Sequence, residues 1–217
     1  MKFKLKDPGS AITHGIAFLL AAVGAAPLLI RSSEWSDHIH IVALGVFILT
    51  MMLLYAASTL YHSVDSTAKV NRRLKKLDHM MIFVMIAGSY TPVCLIVLHN
   101  KIGYILCALV WATAILGIVF KAFWVTCPKW VSSVIYIGMG WVCILAMPQL
   151  LAGLSFGAFM WLLAGGLFYT VGGVIYAMKF PVFHNRFRYF GCHELFHVFV
   201  MAGSLCHFVV MYAYLCS

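Results

Sequence analysis

Near its end the chain reads Gly191-Cys192-His193-Glu194-Leu195-Phe196-His197, with two imidazoles four residues apart. On a helix this spacing puts both rings on one face about a turn apart, where they can share a metal ion. The five residues from His193 to His197 also match H-E-x-x-H, in which the glutamate of a zinc protease is the general base. They open a long apolar run that otherwise reads as membrane. Ionisable groups are costly in such a run, so each is a functional hypothesis with a partner to be found.

The elements that must position them are membrane spans. Of 217 residues, 64% are hydrophobic and 10% charged, against roughly 25% charged in a soluble domain. This predicts an all-α polytopic membrane protein, residues 1–217 forming a single seven-helix transmembrane domain with spans at about 11–30, 39–62, 80–98, 102–123, 131–150, 157–178 and 194–215. The first segment has a signal-peptide flavour, with Lys2, Lys4 and Lys6 ahead of it, but its apolar core is too long for a signal. Gly138, Gly140, Gly165, Gly166, Gly172 and Gly173 are expected to let helices approach closely, and Pro92 and Pro148 to kink their spans. Trp35, Trp124, Trp130, Tyr189 and Phe190 fall where interfacial aromatic belts are expected. The seven cysteines are scattered singly and read as small buried hydrophobes, without a disulfide framework.

The net charge of +9 would suggest nucleic-acid binding in a soluble chain. Here its distribution matters more, and no nucleic-acid partner is expected. Short cytoplasmic loops carry the excess of Lys and Arg. Lys2, Lys4 and Lys6, then Lys69, Arg72, Arg73, Lys75 and Lys76, then Lys121 and Lys129, and finally Lys179, Arg186 and Arg188 fall on one side; Arg31 and Lys101 fall on the other. Thirteen against two predicts a cytoplasmic N-terminus, in a multi-pass protein of the cell membrane.

That topology gathers the polar residues. Of six carboxylates, Asp7, Glu34, Asp37 and Asp65 lie in loops or at the terminus, where solvent accounts for them. Asp78 opens the third span, either as a helix N-cap or as a site residue. His62 ends the second span at the cytoplasmic end, where Asp78, His193 and His197 also begin theirs. Ser58 precedes His62 by four residues, and Ser10 precedes His14 by four, so each hydroxyl shares a face with an imidazole. Ser58 either back-bonds to a carbonyl or faces the site, and Ser10 and His14 either cap and pack or orient a ligand. His207, about 15 Å along a helix from His197, is out of reach of the same ion and reads as a midplane packing or proton-relay residue. His38, His40, His79, His99 and His184 read as interfacial.

Three imidazoles suit catalytic zinc, which keeps an open position for water, and a neighbouring carboxylate such as Asp78 could orient that water and take its proton. Inside a bilayer this chemistry implies an amphiphilic substrate, with hydrolysis of a lipid amide or ester as the natural reaction. The protease reading lacks a third ligand, since beyond His197 the span holds His207 and no carboxylate.

Asp7-Pro8-Gly9-Ser10 through His14, Ser58 through His62, Leu77-Asp78-His79 running on to Ala87-Gly88-Ser89-Tyr90-Thr91-Pro92, and His193 through His197 with Gly203-Ser204-Leu205-Cys206-His207-Phe208 together resemble the bacterial hemolysin III proteins. These belong with the progestin and adipoQ receptors and, more distantly, the alkaline ceramidases. The resemblance covers essentially the whole chain. It implies a seven-helix bundle with zinc near the cytoplasmic side, held by His62, His193 and His197, with Asp78 on the zinc-bound water and Ser58 as an oxyanion donor. In receptor-type relatives the position of Glu194 need not be acidic. The chain lacks the long N-terminal region of the hormone-receptor branch, so hormone binding is not expected of it. Three functions follow: a zinc-dependent, ceramidase-like hydrolase of membrane lipid; a non-enzymatic membrane sensor with structural zinc; or a lytic or pore-forming protein. Ser10, His14, Glu194 and His207 are the candidates for supporting roles around the metal.

Overall fold

The computed structural model describes residues 5–34, 38–178 and 191–216. Lys2, Lys4, Trp35, Asp37, Lys179, His184, Arg186, Arg188, Tyr189 and Phe190 lie outside the described residues. In hydrocarbon each peptide group needs a hydrogen-bond partner within the protein, so long apolar runs become helices. The elements are α1 (Pro8–Ser33), α2 (His38–Ser63), α3 (Ala68–Pro92, continued by a π-helical turn at Val93–Val97), α4 (Lys101–Phe123) and α5 (Lys129–Gly140). A 3₁₀ stretch (Trp141–Ala146) then leads to α6 (Met147–Gly153), α7 (Phe156–Met178) and α8 (Cys192–Ala213). With α5, the 3₁₀ stretch and α6 taken as one span, seven helices among the described residues are long and apolar enough to cross a membrane.

Successive spans pack side by side, and α8 closes the bundle by packing on both α7 and α1. Side chains such as Phe47, Phe83, Leu28 and Met211 fill the interior. Leu19, Val23, Leu116, Phe123 and Phe156 point outward, an apolar exterior suited to lipid. Trp124 and Trp130 are exposed at the α4–α5 connection, as an interfacial belt requires. The seven cysteines are all free thiols, of which Cys94, Cys127, Cys206 and Cys216 are buried.

Six of the expected spans agree with the structure to within a turn, and the third does not. Helix α3 begins at Ala68, capped by Thr67, whose hydroxyl accepts the Val70 N–H. The Lys- and Arg-rich stretch before residue 78 is helical although polar, because hydropathy marks where lipid begins and not where a helix does. Asp78 therefore lies well inside α3, and the N-cap reading is corrected. Lys121, counted as a loop charge, sits in the last turn of α4 with its ammonium buried, donating to Ser132 Oγ (2.6 Å) and Cys127 Sγ (3.1 Å).

The fifth span breaks before its proline. The helix ends at Gly140, and Pro148 sits in the first turn of α6, where a missing N–H costs little. Tyr90 on α3 mends the break: its hydroxyl donates to the Gly140 carbonyl (2.5 Å) and accepts the Cys143 N–H (3.0 Å). Irregular backbone at membrane depth survives where protein groups satisfy it in this way. At Pro92 the helix continues as a π-turn.

The glycines divide. Cβ atoms at Gly165, Gly172 and Gly173 would press on His207, Phe199 and Ile137, so these positions do permit close approach. Gly138, Gly140 and Gly166 face open space, and for them the expectation is corrected. The α2 and α3 helices approach closely at Gly88, where a Cβ would overlap the side chain of Thr50. Gly88→Val is expected to lower the thermal unfolding midpoint in detergent, with overpacking of this kind costing about 1–3 kcal/mol. Gly138→Ala, with room and better helix propensity, should leave the midpoint unchanged or raise it; equal losses in the two variants would contradict the assignment.

Candidate metal centre

Four elements meet at the end of the bundle that carries the start of α1. The last turn of α2 supplies His62, the first turns of α8 supply His193 and His197, the N-terminal turns of α1 pack against both, and α3 brings Asp78 alongside. His62, His193 and His197 each offer a ring nitrogen, and these three atoms lie within 4.8 Å of one another. His62 and His197 are buried, and His193 is partly so.

Their orientation is set by what the outer nitrogens do. His62 Nδ1 is 3.0 Å from Asp7 Oδ2, which as the acceptor fixes the proton on Nδ1 and turns Nε2 inward. The same aspartate is tied through its main chain, its N–H donating to the His62 carbonyl at 2.9 Å. His62 Nε2 then faces His193 Nε2 at 3.2 Å. That distance serves an N–H···N hydrogen bond, and it is also close to the ~3.3 Å edge of a tetrahedron of nitrogens around zinc. His197 Nδ1 lies 3.1 Å from Thr13 Oγ1. Thr13 can give its own proton to the carbonyls of Gly9 or Ser10, both at 3.0 Å, and accept from Nδ1, leaving His197 Nε2 for the cluster. The residues present thus fit a metal ion: three neutral imidazoles, two of them with outer nitrogens already held.

His14 joins the cluster by packing. Its ring stacks on His197 with centroids 3.5 Å apart and planes 9° from parallel, and meets Tyr55 edge-on at 5.0 Å. Neither of its nitrogens has a hydrogen-bond partner among the described residues. Ser10 does not cap α1; its hydroxyl donates to Glu194 Oε1 at 2.5 Å. The other oxygen, Oε2, accepts the Gly191 N–H at 2.8 Å, a cap on the first turn of α8. Both oxygens of Glu194 are engaged, one tying α1 to α8 and the other capping α8 itself, a geometry that gives H-E-x-x-H a structural use here.

Asp78 is buried in the middle of α3, its Oδ2 3.2 Å from His79 Nδ1 without hydrogen-bond alignment. His79 is part-buried against this carboxylate. Asp78, Ser58, His14, His193 and His197 line one cavity. The Ser58 hydroxyl is buried there without a partner, which sets aside the back-bonding reading. From Asp78 the cavity follows α3 to Val93, a distance of about 22 Å along the helix, past a wall that is mostly apolar. His207 lines its deep part.

Two residues escaped the sequence reading. Asp7 had been assigned to solvent, and is instead half-exposed and bonded to His62; Thr13 had drawn no attention. Both act across the fold, 55 residues from His62 and 184 from His197, and no spacing rule reaches that far. The one available signal was the Asp7-Pro8-Gly9-Ser10 run itself.

Comparison with known proteins agrees with this architecture. A family model described as Haemolysin-III related matches residues 4–208. The chain is 38% identical to the Hemolysin-3 homolog of Bacillus subtilis (strain 168) over 213 residues, covering 98% of this chain and 96% of that protein. It is 37% identical to Hemolysin-3 of Bacillus cereus, with 98% and 93% covered. A more distant likeness, 23% identity over 222 residues, reaches 49% of the adiponectin receptor protein of Drosophila melanogaster. This multi-pass membrane protein therefore belongs to the haemolysin-III-related family.

Proposed function

We propose that the protein is a zinc-dependent hydrolase of membrane lipids, acting on an amide or ester bond at the cytoplasmic face. One observation carries the reading: His62, His193 and His197 form a cluster that could hold a metal ion, and two of them, His193 and His197, line a long, mostly apolar cavity together with the buried carboxylate of Asp78. A zinc ion held by His62, His193 and His197 would supply a Lewis acid that acidifies water and polarises a carbonyl. Asp78, which lines the same cavity, would accept the proton of the attacking water and pass it to the leaving amine or alcohol. Ser58, with a free buried hydroxyl one turn from His62, is placed to donate to the developing oxyanion. The apolar wall holds the hydrocarbon chain and keeps bulk water out. Asp7 and Thr13 hold two of the rings, and His14 braces a third contact by stacking. The unequal distribution of Lys and Arg supports the cytoplasmic placement, and it is still twelve against two with the buried Lys121 set aside.

Metal analysis of the purified protein is expected to find about one zinc per chain, lost in His62→Ala. In Asp7→Ala the affinity for zinc should fall about 10- to 100-fold, the usual effect of removing a carboxylate behind a histidine ligand. Glu194→Gln should bind zinc as the parent does, and a chain that binds no zinc would end the proposal.

Hydrolysis separates catalytic from structural zinc. With a ceramide or a fatty-acyl ester in mixed micelles and mass-spectrometric detection of free fatty acid, Asp78→Asn should retain zinc and lose at least about 100-fold in rate, within the range assigned to general-base groups. Unchanged hydrolysis in Asp78→Asn would remove that residue from the mechanism. Zinc-loaded parent protein inactive on every amide and ester tried would favour a sensor in which zinc ties α2 to α8.

A further inference from the structure

The deep part of the cavity carries a polar group that the proposed chemistry does not use. His207 lies ten residues beyond His197 on α8, about 15 Å along the helix. Its residue exposure is 9%, and neither ring nitrogen has a well-aligned hydrogen-bond partner among the described residues, the main chain of Leu162 standing nearby. The ring is held in place by shape: the Cδ2–Nε2 edge lies against Gly165 of α7, where any side chain would collide with it, and Tyr169 meets it edge-on at 5.3 Å.

The hydroxyls of Ser89, Tyr90, Tyr169 and Thr170, which line the cavity, are engaged. Tyr55 donates to Ser204 at 2.6 Å, and Tyr169 shares the same hydroxyl at 3.0 Å. Tyr90 is bonded to the break in the fifth span, Ser89 donates to Ile86 O (2.8 Å), and Thr170 donates to Gly166 O (2.7 Å) while accepting from Trp141 (2.9 Å). His207 is thus a buried imidazole facing an apolar cavity whose neighbouring hydroxyls are already spent. A neutral imidazole offers one donor and one acceptor, which a hydroxyl can answer in either tautomer. A charged group would have no counter-charge among Met85, Val93, Leu150, Phe159 and Leu162 around it.

We propose that His207 forms a second, polar subsite that recognises a hydroxyl part-way along the hydrocarbon chain of the bound lipid, about 15 Å from the head group at the histidine cluster. This rests on the lipid-binding reading above and narrows it: among lipids of equal length, those hydroxylated in mid-chain are held best. The same cavity touches His193, His197 and His207, so one extended molecule can occupy both ends.

The probes are ricinoleic acid and oleic acid, which differ by one mid-chain hydroxyl. Equilibrium binding to the purified, zinc-loaded full chain in detergent is measured for the parent, for His207→Phe and His207→Leu, and for His207→Gln. Comparing the ratio of the two affinities between proteins cancels the different partitioning of the acids into detergent. That ratio should favour ricinoleic acid roughly five- to tenfold more in the parent than in His207→Phe or His207→Leu, the effect of one hydrogen bond. His207→Gln, which can still donate and accept, should keep part of the preference. Asp78→Asn should keep all of it, since the subsite is independent of turnover. Saturable binding of both acids with the same ratio in parent and His207 variants overturns the subsite and leaves the lipid site standing. No saturable binding of either acid overturns both. Two apolar variants are used so that a folding failure in one, seen by size-exclusion chromatography, leaves the other to decide.

Discussion

A polar group inside hydrocarbon has no water to fall back on, and most of this structure is the consequence of supplying partners for a few such groups. The tie between Asp7 and His62 is the clearest case. Its side-chain and main-chain bonds lock the start of α1 to the end of α2. That fixes the tautomer of His62 and aims its other nitrogen at His193. Through Thr13 and His14 the same turns of α1 then set the position of His197. Helix α1 is thus less a passive wall than the frame on which the histidines of two other helices are mounted.

Glutamate 194 illustrates how context overrides a local motif. In a five-residue window it has the place of a protease base, one position after His193 and three before His197. In the fold it bridges Ser10 and the Gly191 amide, so its charge stabilises the first turn of α8 and the contact with α1. The carboxylate that faces the cavity is Asp78, on a different helix. Two acids near three imidazoles thereby take separate tasks, one holding helices together and one turned toward the space a substrate would fill.

The cavity has a similar division along its length. Near the histidines it is polar, and further in it is walled by apolar residues whose few hydroxyls bond to one another or to backbone. Tyr90 shows why this matters for stability: an irregular turn in the fifth span exists because a tyrosine from α3 meets its stranded backbone groups. Such repairs consume the polar groups of the deep wall and leave His207 as the exception.

The sequence by itself determined the membrane character, the seven spans to within a turn at six of them, and the gathering of His62, His193 and His197 into a cluster that could hold a metal ion, because bilayer thickness fixes segment length and the cost of ionisable groups in lipid makes them conspicuous. It misjudged the start of α3, where a polar helix precedes the apolar one, and the break in the fifth span, which follows Gly140 and not Pro148. It missed the roles of Asp7 and Thr13, and named Glu194 and His14 as supporting candidates without their partners. Those were decided by tertiary structure alone: a hydrogen bond between residues 55 or 184 positions apart depends on how helices lean and rotate against one another, and that is set by packing at contacts such as Gly88 on Thr50, which no periodicity along one strand of sequence encodes.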